Sequence, residues 1–239
     1  MNNNKKLSVH QIEALDAYET LMITLPSLFT GRYARPIVRD RNVLDEYAAE
    51  NGEVLGVASK TPYVLFIIDL VESRTLAGDI RRHPYLRIVS CAQLEGGVNV
   101  VILATIENPS LGEKGNIVLL EQERHAVGTK EVELPRGFGE RGLSGELNAL
   151  RELKEETGYV GDKAFHLGTI CTDSGLTDST VSFYHVPVTS RTELRPEMEE
   201  AISQVYLLSL DEVWNAIQLK RIRDGFTLQA VALYQKQVI

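Results

Sequence analysis

Cysteine, positive charge and long apolar runs are what this 239-residue sequence has least of, and each shortage removes a class of protein. Only Cys91 and Cys171 are present, far apart along the chain. Two isolated thiols make neither a disulfide framework nor a zinc site, so both are expected to be small buried residues in a reducing compartment. Lysine and arginine number 25 against 33 acidic residues, a formal net charge of −8. A duplex-binding protein needs a basic face to neutralise phosphates, so nucleic acid is not an expected partner. A small phosphorylated ligand stays open, because a metal ion with two or three arginines can invert the field locally. The longest apolar run, Tyr63 to Ile68, is closed by Asp69 and is far too short to cross a bilayer. Met1-Asn2-Asn3-Asn4-Lys5-Lys6 lacks the apolar stretch of a secretory signal. No membrane association and a cytoplasmic location are therefore expected. Internal repeats and low-complexity linkers are missing too.

What is present reads as an ordinary folded chain, 44% apolar. Ser8 to Leu25 has apolar positions at helical spacing, with Ser8 as cap and Pro26 as terminator. Val43 to Ala49 reads as a short second helix stopped at Asn51-Gly52, and Tyr63 to Val71 as a strand. Arg74 to Arg82 fits neither pattern. Beyond it come β-type runs at Leu86–Leu94, Val98–Ile106, Asn116–Glu123 and Glu131–Leu134, broken by Gly96-Gly97 and Asn108-Pro109. Ser144 to Thr157 reads as a helix capped by Ser144 and ended by Gly158. Strands at Phe165–Cys171 and Val181–Val188 follow, then helices at Leu210–Leu219 and Thr227–Gln237. Strands and helices mixed without strict alternation indicate an α+β or layered α/β domain over residues 86–239. Residues 1–85 form an N-terminal extension or small domain.

The chemistry-bearing stretch is Gly137 to Tyr159, GFGERGLSGELNALRELKEETGY. Glu152, Glu155 and Glu156 lie at i, i+3 and i+4, which puts three carboxylates on one helix face. A solvated acidic face with Arg151 and Lys154 as partners is the plain reading. A site for Mg²⁺ or Mn²⁺ is the sharper one, since hard cations take several carboxylate oxygens.

The whole stretch resembles the Nudix box. There a Gly is followed by five residues, a Glu, seven residues, and then Arg-Glu-apolar-any-Glu-Glu-any-Gly-apolar. Gly137 matches the first Gly; Arg151, Glu152, Leu153, Glu155, Glu156, Gly158 and Tyr159 match the second half in register. One position departs: the first box glutamate falls at Leu143, which can neither bind metal nor pair with Arg151. Glu140 or Glu146 could stand in, although Glu146 lies about 120° around the helix from Glu152. Gln122-Glu123-Arg124, Val132-Glu133-Leu134-Pro135, Ser174-Gly175-Leu176-Thr177-Asp178 and Ile222-Arg223-Asp224-Gly225-Phe226-Thr227 resemble the ADP-ribose pyrophosphatase branch.

The resemblance implies a Nudix-type α/β/α sandwich with a mixed sheet. It also implies hydrolysis of ADP-ribose or a related ADP-sugar to AMP and a sugar phosphate. Glu152, Glu155 and Glu156 would hold the metal, with help from the backbone at Arg136 or Gly137. A general base would come from Arg195 to Glu200, with Glu197 and Glu200 the candidates. Arg124 would contact a phosphate and Glu133 the base or ribose, and Arg136 and Gly137 would also bind substrate. Gly137 and Gly139 would let backbone approach the ligand. A homodimer through residues 8–28 is implied by the same analogy. Two alternatives remain: a Nudix hydrolase of another nucleoside diphosphate derivative such as a dinucleotide, and a non-catalytic nucleotide sensor. Leu143 supports the sensor, and the intact triplet opposes it.

Overall fold

A computed structural model describes residues 6–30, 35–193 and 202–238. The chain forms two compact units, one of residues 1–91 with 172–179, the other of residues 92–171 with 180–239.

In the first unit, α1 (Val9–Thr24) starts at Ser8, which forms a capping box with Gln11. The Gln11 amide also donates to the Ala48 and Glu53 carbonyls at 3.0 and 2.8 Å. These bonds fix α1 against the end of α2 (Arg41–Asn51), which Asp40 caps. A three-stranded antiparallel sheet follows, β1 (Gly56–Lys60), β2 (Val64–Arg74) and β3 (Ile80–Ser90), with β2 central. The residues that fitted neither pattern are the last residue of β2, a tight turn and the start of β3. Buried between sheet and helix, Tyr18 donates to Asp69 at 2.5 Å, and Arg87 closes on the same carboxylate through Nε (2.9 Å) and Nη2 (3.3 Å). Burial and the Asp69 charge push the Tyr18 hydroxyl far up, so it acts as a permanent donor. Residues 172–179 complete this unit. Ile88 donates to the Leu176 carbonyl (2.9 Å), Asp178 to the Ile88 carbonyl (3.1 Å), and the Tyr85 hydroxyl to the Gly175 carbonyl (2.7 Å).

The second unit is an α/β/α sandwich. A helical turn, α3 (Cys91–Leu94), precedes β4 (Val100–Ile106), β5 (Ile117–Arg124), β6 (Thr129–Glu133) and the two-residue β7 (Arg136–Gly137). Then come α4 (Gly145–Thr157), β8 (Tyr159–Gly161), β9 (Phe165–Cys171), β10 (Thr180–Arg191), β11 (Ile202–Leu208), α5 (Leu210–Gln218) and α6 (Gly225–Val238). The main path of the sheet runs β11-β5-β4-β10-β8, while β6 pairs with β5, β7 with β4 and β9 with β10. The pairing of β4 with β10 is parallel and the rest antiparallel, so the sheet is mixed. All of β4 is buried, and its alternation serves two cores. Val101 and Leu103 pack with Val213, Ala230 and Val231 of α5 and α6. Val100, Ile102, Ala104 and Ile106 pack with Ala149 and Leu153 of α4. That double burial is why β4 reads in sequence as an unbroken apolar run.

Two differences from the sequence reading are instructive. The run Leu86–Leu94 is not one strand: β3 ends at Ser90 and the rest coils into α3. The thiols are not buried either; Cys91 is half-buried and Cys171 exposed. Cys171 is the last residue of β9, a strand in which only Leu167 is fully inward, so position outranks the apolar preference of the residue. Among the described residues no helix is long and apolar enough to cross a membrane.

His185 sits on β10 with Nε2 at 2.8 Å from Thr105 Oγ1 and its ring 4.9 Å from that of Tyr234 on α6. Burial lowers its pKa from the usual histidine value, and Glu107 opposes only in part. The unfolded chain therefore takes up the proton first as pH falls. The stability this histidine contributes is present above its ordinary value of about 6.5 and lost below it. Melting curves should show a smaller drop in Tm between pH 7.5 and pH 5.5 for His185→Gln than for the unaltered protein. Equal drops would remove His185 from the pH response.

Candidate active site

The site is built where α4 crosses the short strand β7. Ser144 caps α4 by accepting from the Leu147 amide, and Gly158 ends it in the left-handed conformation. Asn148, fully buried on the first turns, donates to the Val98 carbonyl (3.1 Å) and the Phe138 carbonyl (3.0 Å). From the sheet side, Asn99 accepts from the Gly139 amide at 3.0 Å. The loop from Arg136 to Glu140 is thus held by side-chain amides on both flanks. A Cβ at Gly137 would collide with the Glu152 carboxylate, and one at Gly139 with the Gly97–Val98 backbone. At 139 only glycine fits, because backbone is in the way, whereas at 137 a methyl group fits only if the Glu152 carboxylate moves aside.

The three glutamates of the box have different surroundings. Glu152 and Glu156 are buried and Glu155 is half-buried. Glu156 Oε2 accepts from the Arg136 backbone amide at 2.9 Å. Arg151 sits among the others, 2.5 Å from Glu152 Oε1, 2.5 Å from Glu155 Oε2 and 3.2 Å from Glu140 Oε1. Leu143 is half-buried, and its amide donates to the Glu140 carbonyl at 3.2 Å, closing a turn that returns Glu140 to Arg151. Glu140 therefore supplies the carboxylate partner that Leu143 cannot, while Glu146 is exposed on the first turn of α4. Among the described residues, no three His, Cys, Asp or Glu side chains are gathered into a ready cation site. Arg151 stands as the cation among these acids. Their donor set, carboxylate oxygens on one helix face, nonetheless suits a hard divalent ion once the guanidinium gives way.

A cleft of about 460 Å³ adjoins this helix crossing and contains three of the residues expected to bind substrate, Arg124, Glu133 and Arg136. Glu133 is essentially inaccessible; it pairs with Arg124 through Oε1 and with Arg136 through Oε2 at 3.1 Å. Burial pushes the Glu133 carboxyl up despite those two arginines, which pull it down. Arg136 reaches on to Asp224 at 3.3 Å and lies 5.1 Å from the Phe226 ring centre. Asp224 in turn accepts from the amide and hydroxyl of Thr227, both at 2.8 Å, at the start of α6. The first unit has its own cavity of about 380 Å³, but none of the box residues line it.

Glu197 and Glu200 lie outside the described residues. Sequence reasoning gave no role to Asn99, Asn148, Arg223 or Asp224, all of which shape the loop or the cleft. An asparagine inside a helix, as at position 148, was the signal that could have marked a loop anchor.

The NUDIX domain profile matches residues 99–229. The methanol dehydrogenase activator of Bacillus methanolicus is 32% identical over 171 residues, covering 71% of this chain and 82% of that protein. The ADP-ribose pyrophosphatase of Bacillus subtilis (strain 168) is 29% identical over 124 residues, 52% of this chain and 67% of that protein. Among solved structures, that of an ADP compounds hydrolase aligns with a TM-score of 0.56 at 14% identity, covering 75% of this chain and 89% of that one. At that identity it is a likeness of fold.

Gly137→Ala should leave the protein folded, with a Tm within a few degrees, while displacing the Glu152 carboxylate. Misplacement of a reacting group by about 1 Å costs on the order of a hundredfold in rate. Unchanged turnover in this variant would show that the close approach of β7 to α4 has no bearing on catalysis.

Proposed function

Since this chain belongs to the Nudix family of hydrolases, we propose that it cleaves the pyrophosphate bond of ADP-ribose or a related ADP-sugar to give AMP and a sugar phosphate. The observation that carries this reading is the double attachment of Arg136. Its backbone amide holds Glu156 of the box, and its side chain lines the arginine-bearing cleft with Arg124 and Glu133. A group bound in the cleft thus lies beside the box acids. The ADP-ribose pyrophosphatase among the relatives supports the adenosine diphosphate part of the reading.

Nudix hydrolases generally use divalent metals. In this chain Glu152, Glu155 and Glu156 would hold the ion, Mg²⁺ or Mn²⁺, and Gly137 keeps the backbone close enough for its carbonyl to assist. Such an ion, when bound, neutralises diphosphate oxygens and acidifies a coordinated water. Arg124 and Arg136 orient the diphosphate by turning donors from Glu133 toward its oxygens; guanidinium forks suit that geometry. With Glu152 and Glu155 engaged by such an ion, Arg151 would still have Glu140 as its partner and so would be held in place. Glu197 or Glu200 accepts the proton of the attacking water.

AMP release from ADP-ribose, followed by chromatography beside a panel of nucleotide sugars and dinucleotides, tests the reading. Activity should require Mg²⁺ or Mn²⁺, vanish with a chelator and return on readdition. Glu156→Gln keeps an acceptor for the Arg136 amide and should cut turnover by roughly a hundredfold. Faster release from a dinucleotide than from any ADP-sugar would move the substrate assignment to that class.

A homodimer through the N-terminal segment belongs to the same reading. It is supported by α1, which leaves Val9, Ile12 and Ile23 exposed at 72%, 42% and 80%. Light scattering on the full chain should give twice the 26.6 kDa of one copy. A single species of monomer mass at micromolar concentration would rule the dimer out.

A further inference from the structure

The cleft that Arg136 lines carries a charge pattern the diphosphate leaves unused. Three guanidinium groups, of Arg124, Arg136 and Arg223, stand against three carboxylates, of Glu131, Glu133 and Asp224, so the formal charge of its walls sums to zero. Arg223 comes from the turn between α5 and α6 and reaches β6, where its Nη2 meets Glu131 Oε1 and lies 3.2 Å from Thr129 Oγ1. The Thr129 hydroxyl itself donates to the same Glu131 oxygen at 2.7 Å. Two donors, the Arg223 guanidinium and the Thr129 hydroxyl, therefore converge on one oxygen. Glu131 Oε2 and the Nε and Nη1 of Arg223 make no protein hydrogen bond among the described residues. The Arg223 side chain is 56% exposed against 10% for Glu131, so the pair forms an open lip on a fixed base.

Unused acceptors beside unused donors, with no net charge, match one kind of ligand group. A hydroxyl both donates and accepts, so a polyhydroxylated ring satisfies carboxylate and guanidinium together. A phosphate only accepts; it would satisfy Arg223 but face the Glu131 charge at close range. We propose that Glu131 and Arg223 bind the uncharged sugar of a nucleoside diphosphate sugar and select against a sugar bearing an additional phosphate. The proposal rests on the diphosphatase reading above and adds a subsite and a substrate preference to it.

Three probes test it: ADP-ribose, the β-methyl ester of ADP, which has no second sugar, and ADP-ribose phosphorylated on its terminal ribose. The kcat/KM of the unaltered protein should favour ADP-ribose over each of the other two by at least about tenfold. Glu131→Gln keeps the shape but leaves the cleft one charge positive. It should lower the ratio of ADP-ribose to the methyl ester and, in the opposite sense, raise the ratio of phosphorylated to plain ADP-ribose. Arg223→Met should lower both ratios. A folding defect scales all three probes alike and cannot produce this divergence. Ratios unmoved in both variants would overturn the subsite while leaving the diphosphatase reading intact. Should no probe be turned over, that reading falls, and the same ratios taken from calorimetric binding of the three probes decide the subsite alone.

Discussion

The absence of a side chain at residue 137 is the constraint on which the rest of the second unit's site depends. With hydrogen there, β7 lies close enough to α4 for the Glu152 carboxylate to rest against the strand backbone. The neighbouring amide, of Arg136, is then in reach of Glu156. Asn148 holds the same crossing from the helix side by bonding the carbonyls of Val98 and Phe138. Two acids are in this way kept buried at the sheet by backbone contacts and amide bonds. Removing such groups from water without partners would be costly, and the loop supplies partners where solvent is excluded.

Charge in this unit is organised around two arginines that do different things. Arg151 answers the acids of its own helix and of the loop, and its fork accounts for three like charges standing so near one another. Arg136 belongs to two neighbourhoods at once. Its amide serves the box, while its guanidinium ties the buried Glu133 to Asp224 and so to the first turn of α6. The start of α6 is tied to this region twice, through Asp224 to Arg136 and through the Thr227 hydroxyl, which accepts from the Leu134 amide at 3.0 Å.

The box was legible in the sequence because its chemistry is local: fixed residue types at fixed spacing on one helix. So were the long helices α1 and α4, marked by their caps, and the buried strands β4 and β5, marked by apolar runs. The sequence could not show β7 or β8, whose two and three residues are too few to display any alternation. Nor did it show β1, a short strand in which only Val57 and Ala58 are apolar. The replacement of the missing box glutamate by Glu140 depends on a turn closed by the backbone of Leu143, and turn closure leaves little trace in residue types. The cleft was harder still. Arg124, Glu133 and Arg136 come from neighbouring strands, but Arg223 and Asp224 stand roughly ninety residues later in the chain. Only tertiary pairing brings those together.

The segment of residues 172–179 is counted in the first unit, although the chain enters it from β9 and leaves it into β10 of the second. The backbone thus passes from one unit to the other three times. Cutting the chain once, after residue 91, would not yield two self-sufficient pieces. The N-terminal fragment would lose the segment that bonds to β3 at Ile88, and the remaining fragment would carry a hairpin loop stripped of its hydrogen-bonding host. A shuffling event that borrowed the catalytic half alone would inherit that defect. The two halves are therefore bound to be inherited together, or to be parted only with a redesign of one loop.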